Sequence, residues 1–264
     1  MPRYFIVLDY NGTQFHGWQY QPNALSVQEI LEKDFSMILK EPIAITGCGR
    51  TDTGVHAKNY VAHFDSVSEN LETQPTLVHQ LNRFLPKEIT IQYIKKMHPE
   101  AHARFDANSR TYQYFISKNK DSFNYPFSYT YQLPLRVDLM NQAASQLFHY
   151  TDFTSFSKVD TDVKTNNCKI MEVHWQETDR QLIFTIKADR FLRNMVRAIV
   201  GTLLEVGKEK LTVEEFRQII EANDRCKAGH SAKAQALFLM KVEYPYSIIS
   251  KNEATDSPIL KANL

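Results

Sequence analysis

The sequence predicts an α+β fold: two split βαβ (ferredoxin-like) halves forming an extended, mostly antiparallel sheet, with helices on one face and a basic cleft between the halves. Three observations carry this expectation. Apolar residues recur with strand and helix periods in the order β-α-β-β-α-β over residues 3–97. The remainder of the chain repeats that order with one helix inserted, in pattern rather than in letters. Finally, 264 residues with 43% apolar and 23% charged content suffice for a sizeable core and exclude disordered, collagen-like and coiled-coil chains.

Taken in order, residues 3–9 alternate and are rich in Phe, Ile and Val, which predicts a strand, followed by a Gly12 turn and a loop to about residue 24. Ser26 with Glu29 is a capping-box signature. Val27, Ile30, Leu31, Phe35, Ile38 and Leu39 share one helical face, and Pro42 follows the end. Residues 43–48 and 59–65 read as strands flanking a glycine-containing loop, 75–85 as a helix and 89–97 as a strand. Beyond a joint near residue 105, residues 111–118 read as a strand, 138–148 as a helix, and 168–177 with 182–188 as a hairpin. Helices at 191–206 and 214–222 and a strand at 236–244 complete the pattern. The expected units are an N-terminal half, 1–105, a C-terminal half, 106–248, and a loose tail, 249–264, which lacks periodicity and contains Pro258.

Overall charge is balanced, with 31 basic and 30 acidic residues, but it is segregated along the chain. Residues 1–82 hold 5 Lys/Arg against 9 Asp/Glu, whereas residues 83–120 hold 8 against 3. One basic face is enough to bind a polyanion, because screening limits each phosphate to nearby charges. An ordinary solvated surface has the same statistics. Cys48, Cys168 and Cys226 are odd in number and widely spaced, without a C-x-x-C pair, which suits a reducing compartment. The four-residue apolar run before Asp9 is too short for a signal-peptide core, and no 18-residue apolar stretch occurs. The expected location is cytoplasmic, with no membrane association.

Chemistry concentrates in three segments. GCGRTDTGVH, residues 47–56, places three glycines in eight residues between two predicted strands, a backbone that is costly to order. It reads as an ordinary Asp/Thr/Gly turn or as a loop presenting one carboxylate, Asp52, beside Arg50. It lacks the phosphate-cradle pattern, so the chemistry left to it is nucleophilic, as in glycosyl transfer. In KADRFLRNMVR, residues 187–197, Arg190, Arg193 and Arg197 are spaced to share one face at a helix start. That is either a solvated side of a core helix or a set of cations that oppose the macrodipole and need an anion, RNA phosphate or a carboxylate. In residues 102–114, His102, Arg104, Phe105, Arg110, Tyr112 and Tyr114 interleave bases and rings, a mixture that suits stacked bases and phosphates, although strand aromatics such as Tyr114 belong more often to cores. His98 and His102 are separated by Pro99 and have no third ligand, which argues against a metal. Phe123, Tyr125, Phe127, Tyr129 and Tyr131 pad a sheet edge, cover a dimer interface or touch RNA; spacing does not choose among these.

Four stretches in order, DYNG with FHGWQ, GRTDTGVHA, HARFDA with RTYQY, and FLRNMVRAIVGTLLEVG, resemble the TruA family of tRNA pseudouridine synthases from about Tyr4 to Tyr244. The resemblance implies a cofactor-free isomerase that converts uridines at positions 38, 39 and 40 of the tRNA anticodon stem-loop to pseudouridine, working as a homodimer. By its motifs, Asp52 is the catalytic aspartate, Arg197 the arginine that pairs with it, and Tyr112 the ring against the target uracil. Arg50 helps fill the space left by the extruded base. The expected substrate contacts are Tyr112, Arg50, Arg104, Arg110, Arg190, Arg193 and Leu237, and Tyr112 is also a candidate proton acceptor for C5. One departure stands out: Ala236 precedes Leu237-Phe238-Leu239 where the family usually has Gly, a methyl that narrows the pocket or is simply tolerated. Two other readings share the architecture, a catalytically silent RNA-binding protein and an N-glycosidase that stops after bond cleavage. Asp52 speaks against the first, since a pure binder gains nothing from an acid facing a polyanion.

Overall fold

In the computed structural model, which describes residues 1–158 and 165–248, the described residues form one mixed nine-stranded sheet with α-helices packed on it, an α+β architecture. The strands are β1 (Arg3–Tyr10), β2 (Thr46–Gly47), β3 (His56–Asp65), β4 (Ile89–Met97), β5 (Ser109–Ser117), β6 (Tyr129–Thr130), β7 (Ile170–Glu177), β8 (Gln181–Ala188) and β9 (Leu237–Glu243). Their order is β4-β1-β3-β9-β5-β8-β7, with β2 on β3 and β6 on β5. Pairing is antiparallel except for β3 with β9 and β5 with β6. The helices are α1 (Val27–Leu39), α2 (Leu77–Phe84), α3 (Val137–Gln146), α4 (Met195–Gly207) and α5 (Val213–Glu221). No helix among the described residues is long and apolar enough to cross a membrane. The tail expected at 249–264 lies outside the described residues.

Local sequence explains most of these elements. Ser26 caps α1 by accepting the Glu29 N–H at 3.3 Å, and Val27, Leu31 and Phe35 turn inward, so one apolar stripe is buried against β1, β3 and β4. Thr212 and Glu215 close a full capping box on α5.

Two expectations need correction. Residues 43–48 supply only the two-residue β2, because side chains of α1 take the backbone groups a longer ladder would use. Ser36 accepts from the Ile43 N–H, Glu32 accepts from that of Ile45, and Gln28 donates to the Ile45 carbonyl. Helix α4 begins at Met195 rather than residue 191 because Asn194 adopts a left-handed conformation, φ 66°, and its amide donates to Ser231 Oγ. Arg190 and Arg193 therefore sit on a loop, and Arg197 alone of the three is helical.

The sheet carries two cores. One lies between β1, β3, β4 and helices α1 and α2; the other lies between β5, β7, β8 and helices α3, α4 and α5. Between them runs β9, parallel to β3 through His56–Phe238 and Ala57–Leu239 and antiparallel to β5. Leu237 belongs to the second core, Leu239 and Val242 to the first, and Tyr112 touches both.

Two buried imidazoles make this fold acid-sensitive. Burial pushes His56 down to about 4, against the opposing pull of the Gln235 carbonyl, and burial with Arg3 and His102 nearby does the same to His63. Both are held neutral when folded, while in the unfolded chain they take a proton near 6.5. Stability is therefore full above pH 6.5 and falls as pH drops toward 4, by on the order of 3 kcal/mol per histidine. Denaturant titrations at neutral pH and near pH 4 are expected to show this loss; equal midpoints would contradict it.

Candidate active site

The loop between β2 and β3 is held from below by the segment after β1. Gly12 and Gly17 are required there: a Cβ on Gly12 would lie 2.0 Å from the Val55 carbonyl oxygen, and one on Gly17, at φ +86°, 2.2 Å from that of Thr51. The Trp18 N–H donates to the Thr51 carbonyl and the Gly54 N–H to that of Phe15. Thr51 Oγ1 lies 2.9 Å from the buried Tyr10 hydroxyl. Tyr60, stacked on Trp18 at 4.2 Å, donates its hydroxyl to the Gly49 carbonyl. Burial pushes the Cys48 thiol up to about 11, so the loop offers no thiolate at neutral pH.

His56 closes the loop from the other side. Its Nδ1 accepts the Gly12 N–H at 3.0 Å, which leaves Nε2 as the protonated nitrogen that donates to the Gln235 carbonyl at 3.0 Å. Phe238 stacks on the ring at 4.5 Å. Sequence reading took this histidine only as part of a motif and missed that it joins the loop to the turn before β9.

Asp52 sits on this frame, and its Oδ2 accepts from Arg197 Nη1 at 3.1 Å across 145 residues of sequence. Arg197 occupies the first turn of α4, where the helix dipole disfavours a cation, and Asp52 supplies the anion. Its Nε donates to the Ala232 carbonyl at 2.8 Å, which fixes the guanidinium plane. The side chains of Arg197 and Asp52 remain 21% and 24% exposed. At that exposure the carboxylate can still meet a ligand while it stays paired. Burial raises the Tyr112 phenol, Cys48 and Asp52 add to the shift, and Arg110 opposes it. At neutral pH Tyr112 is a phenol, with a ring held edge-on to Phe191 at 5.1 Å.

The other expected contacts divide. Arg50, Arg104 and Arg193 are exposed and Arg190 is half-buried. Leu237 is buried in the second core opposite Tyr114, which is itself wholly buried, and the Ala236 methyl is packed into the same core. Arg110 does not point outward. Its Nη1 donates to the Asp189 and Ala107 carbonyls at 2.7 and 2.9 Å, and its Nη2 to those of Cys48 and Arg104 at 2.9 and 2.7 Å. One guanidinium thus ties the Asp52 loop, the loop before β5 and the loop carrying Arg190 and Arg193 together. Both terminal nitrogens of Arg110 are engaged by backbone carbonyls.

A family model described as tRNA pseudouridine synthase matches residues 6–106 and 143–245. The chain is 56% identical to tRNA pseudouridine synthase A of Bacteroides fragilis over 93% of its own length and 98% of that protein. It is 53% identical to the protein of the same name in Bacteroides thetaiotaomicron over 100% and 98%, and 54% identical to that of Parabacteroides distasonis over 93% and 97%.

Proposed function

We propose, since this chain belongs to the TruA family of tRNA pseudouridine synthases and is an isomerase of uridine to pseudouridine, that its targets are uridines 38, 39 and 40 of the anticodon stem-loop and that Asp52 is the nucleophile. The observation that carries the reading is the partly exposed Asp52 carboxylate held by Arg197 at 3.1 Å.

Isomerisation breaks the N1–C1′ bond, turns the uracil, joins C5 to C1′, and moves the C5 proton away while N1 gains one. Asp52 attacks C1′ or uracil C6, and Arg197 orients the attacking oxygens and supplies their counter-charge. Tyr112 stacks on the turning base. Because its phenol is protonated, it accepts the C5 proton only by passing its own onward. A stacked uridine must first leave the helix, at a cost of a few kcal/mol that contacts to the stem offset. Arg50 fills the vacated space, and Arg104, Arg190 and Arg193 hold phosphates. In this reading the two cores are two split βαβ halves, 1–105 and 106–248, flanking a basic cleft. The enzyme is a cytoplasmic homodimer and uses no cofactor.

Incubating tRNA transcripts carrying U38, U39 and U40 with the protein, then mapping pseudouridine by carbodiimide adducts, tests the assignment. Modification confined to those positions is expected; modification elsewhere, or none, overturns it. Arg193→Ala is expected to lower the slope of log affinity against log salt by about one unit. An unchanged slope would return Arg193 to the solvated surface.

A further inference from the structure

We infer that the tip of the loop before β5 is an RNA contact in which Phe105 forms a stacking platform for an unpaired nucleobase beside the Asp52 site, with Arg104 serving the adjoining phosphate. The inference rests on the tRNA reading above and extends it to a residue that reading leaves unused.

The loop is pinned far more tightly than its exposure requires. Arg3 donates to the Ala101 carbonyl at 2.9 Å, and His63 Nδ1 accepts the Ala103 N–H at 3.1 Å. Tyr244 donates to the Ala103 carbonyl at 2.5 Å. Asp106 accepts the His102 N–H at 2.8 Å, and His102 Nδ1 accepts the N–H groups of both Arg104 and Phe105 at 3.1 and 3.2 Å. With Ala101 and Ala103 wholly buried, this frame leaves Arg104 and Phe105 displayed at its tip, Phe105 at 75% exposure.

The Phe105 ring leans on the His102 ring at 4.3 Å, and the Arg104 guanidinium lies 5.6 Å from its centre. A phenyl ring this exposed adds nothing to the core. Backed by a second ring on a pinned loop, it keeps most of its surface open, with the Arg104 guanidinium over the ring as the mobile cover that a base would displace toward its own phosphate. Its place follows from Arg110, whose Nη2 bridges the Arg104 and Cys48 carbonyls and so sets the platform against the loop that bears Asp52. A flat apolar face with an adjacent cation is the chemistry that recognises a splayed base and its phosphate.

The test measures affinity for a tRNA transcript in the Asp52→Asn background, comparing Phe105 with Phe105→Ala, Phe105→Leu and Phe105→Tyr. Ala and Leu are expected to weaken binding about 5- to 150-fold, and Tyr to retain it. Leu binding as well as Phe would overturn stacking, as would Ala binding like the parent. A change of oligomeric mass with RNA affinity intact would make the ring a protein contact and likewise overturn it. If Ala does not fold, the Leu and Tyr comparison decides, since both keep the bulk. Retained binding by a wild-type chain that forms no pseudouridine would remove the proposed reaction while leaving the platform standing.

Discussion

Asp52→Asn is expected to abolish pseudouridine formation, by more than about a hundredfold, while tRNA affinity stays near that of the wild type. The substitution keeps the size and planarity of the side chain and can still meet Arg197 through its amide oxygen, so the loop held by Gly12, Gly17, Tyr10 and Tyr60 has no reason to move. What disappears is the negative oxygen pair. Single-turnover assays with excess protein separate the two quantities, because they report chemistry after binding is saturated. Residual turnover above about a hundredth of wild type would contradict the assignment of Asp52 as nucleophile.

Arg110→Lys is expected to impair both stability and turnover although it keeps the charge. Four carbonyls on three loops share one fork, and an ammonium lacks the planar reach to serve them together. The lost charge-assisted bonds are expected to cost about 2–3 kcal/mol. A displacement of the Asp52 loop by about 1 Å would slow the chemical step by about a hundredfold. The salt dependence of tRNA binding should not change. If instead the slope falls by about one unit while thermal stability and single-turnover rate hold, Arg110 contacts phosphate and the positioning role is wrong.

How far the letters reach is clearest in particular residues. Helix α1 was legible because its signals are local, a capping serine and a stripe of apolar residues. The short β2 was not, since the competition for its backbone comes from Gln28, Glu32 and Ser36 on a neighbouring element. The start of α4 was misplaced by four residues because the apolar spacing runs unbroken through Phe191 and Leu192, and the left-handed turn at Asn194 leaves no mark on that spacing. At the site, spacing alone left Asp52 as either a turn former or a nucleophile, and its pairing with Arg197 came from resemblance rather than pattern. Nothing in RTYQY distinguishes an arginine that reaches outward from one folded back onto carbonyls, as Arg110 is. His56 carried no signal beyond its place in a motif.

The central position of β9 also dictates when this protein can become itself during synthesis. While the ribosome is still translating, β3 and β5 each expose a border that β2 and β6 cover only in part, and the strand that sutures them emerges after every other described strand. A message truncated before codon 237 would therefore release a product whose two raw margins invite pairing with other chains, a hazard that chaperones would have to cover until elongation finishes.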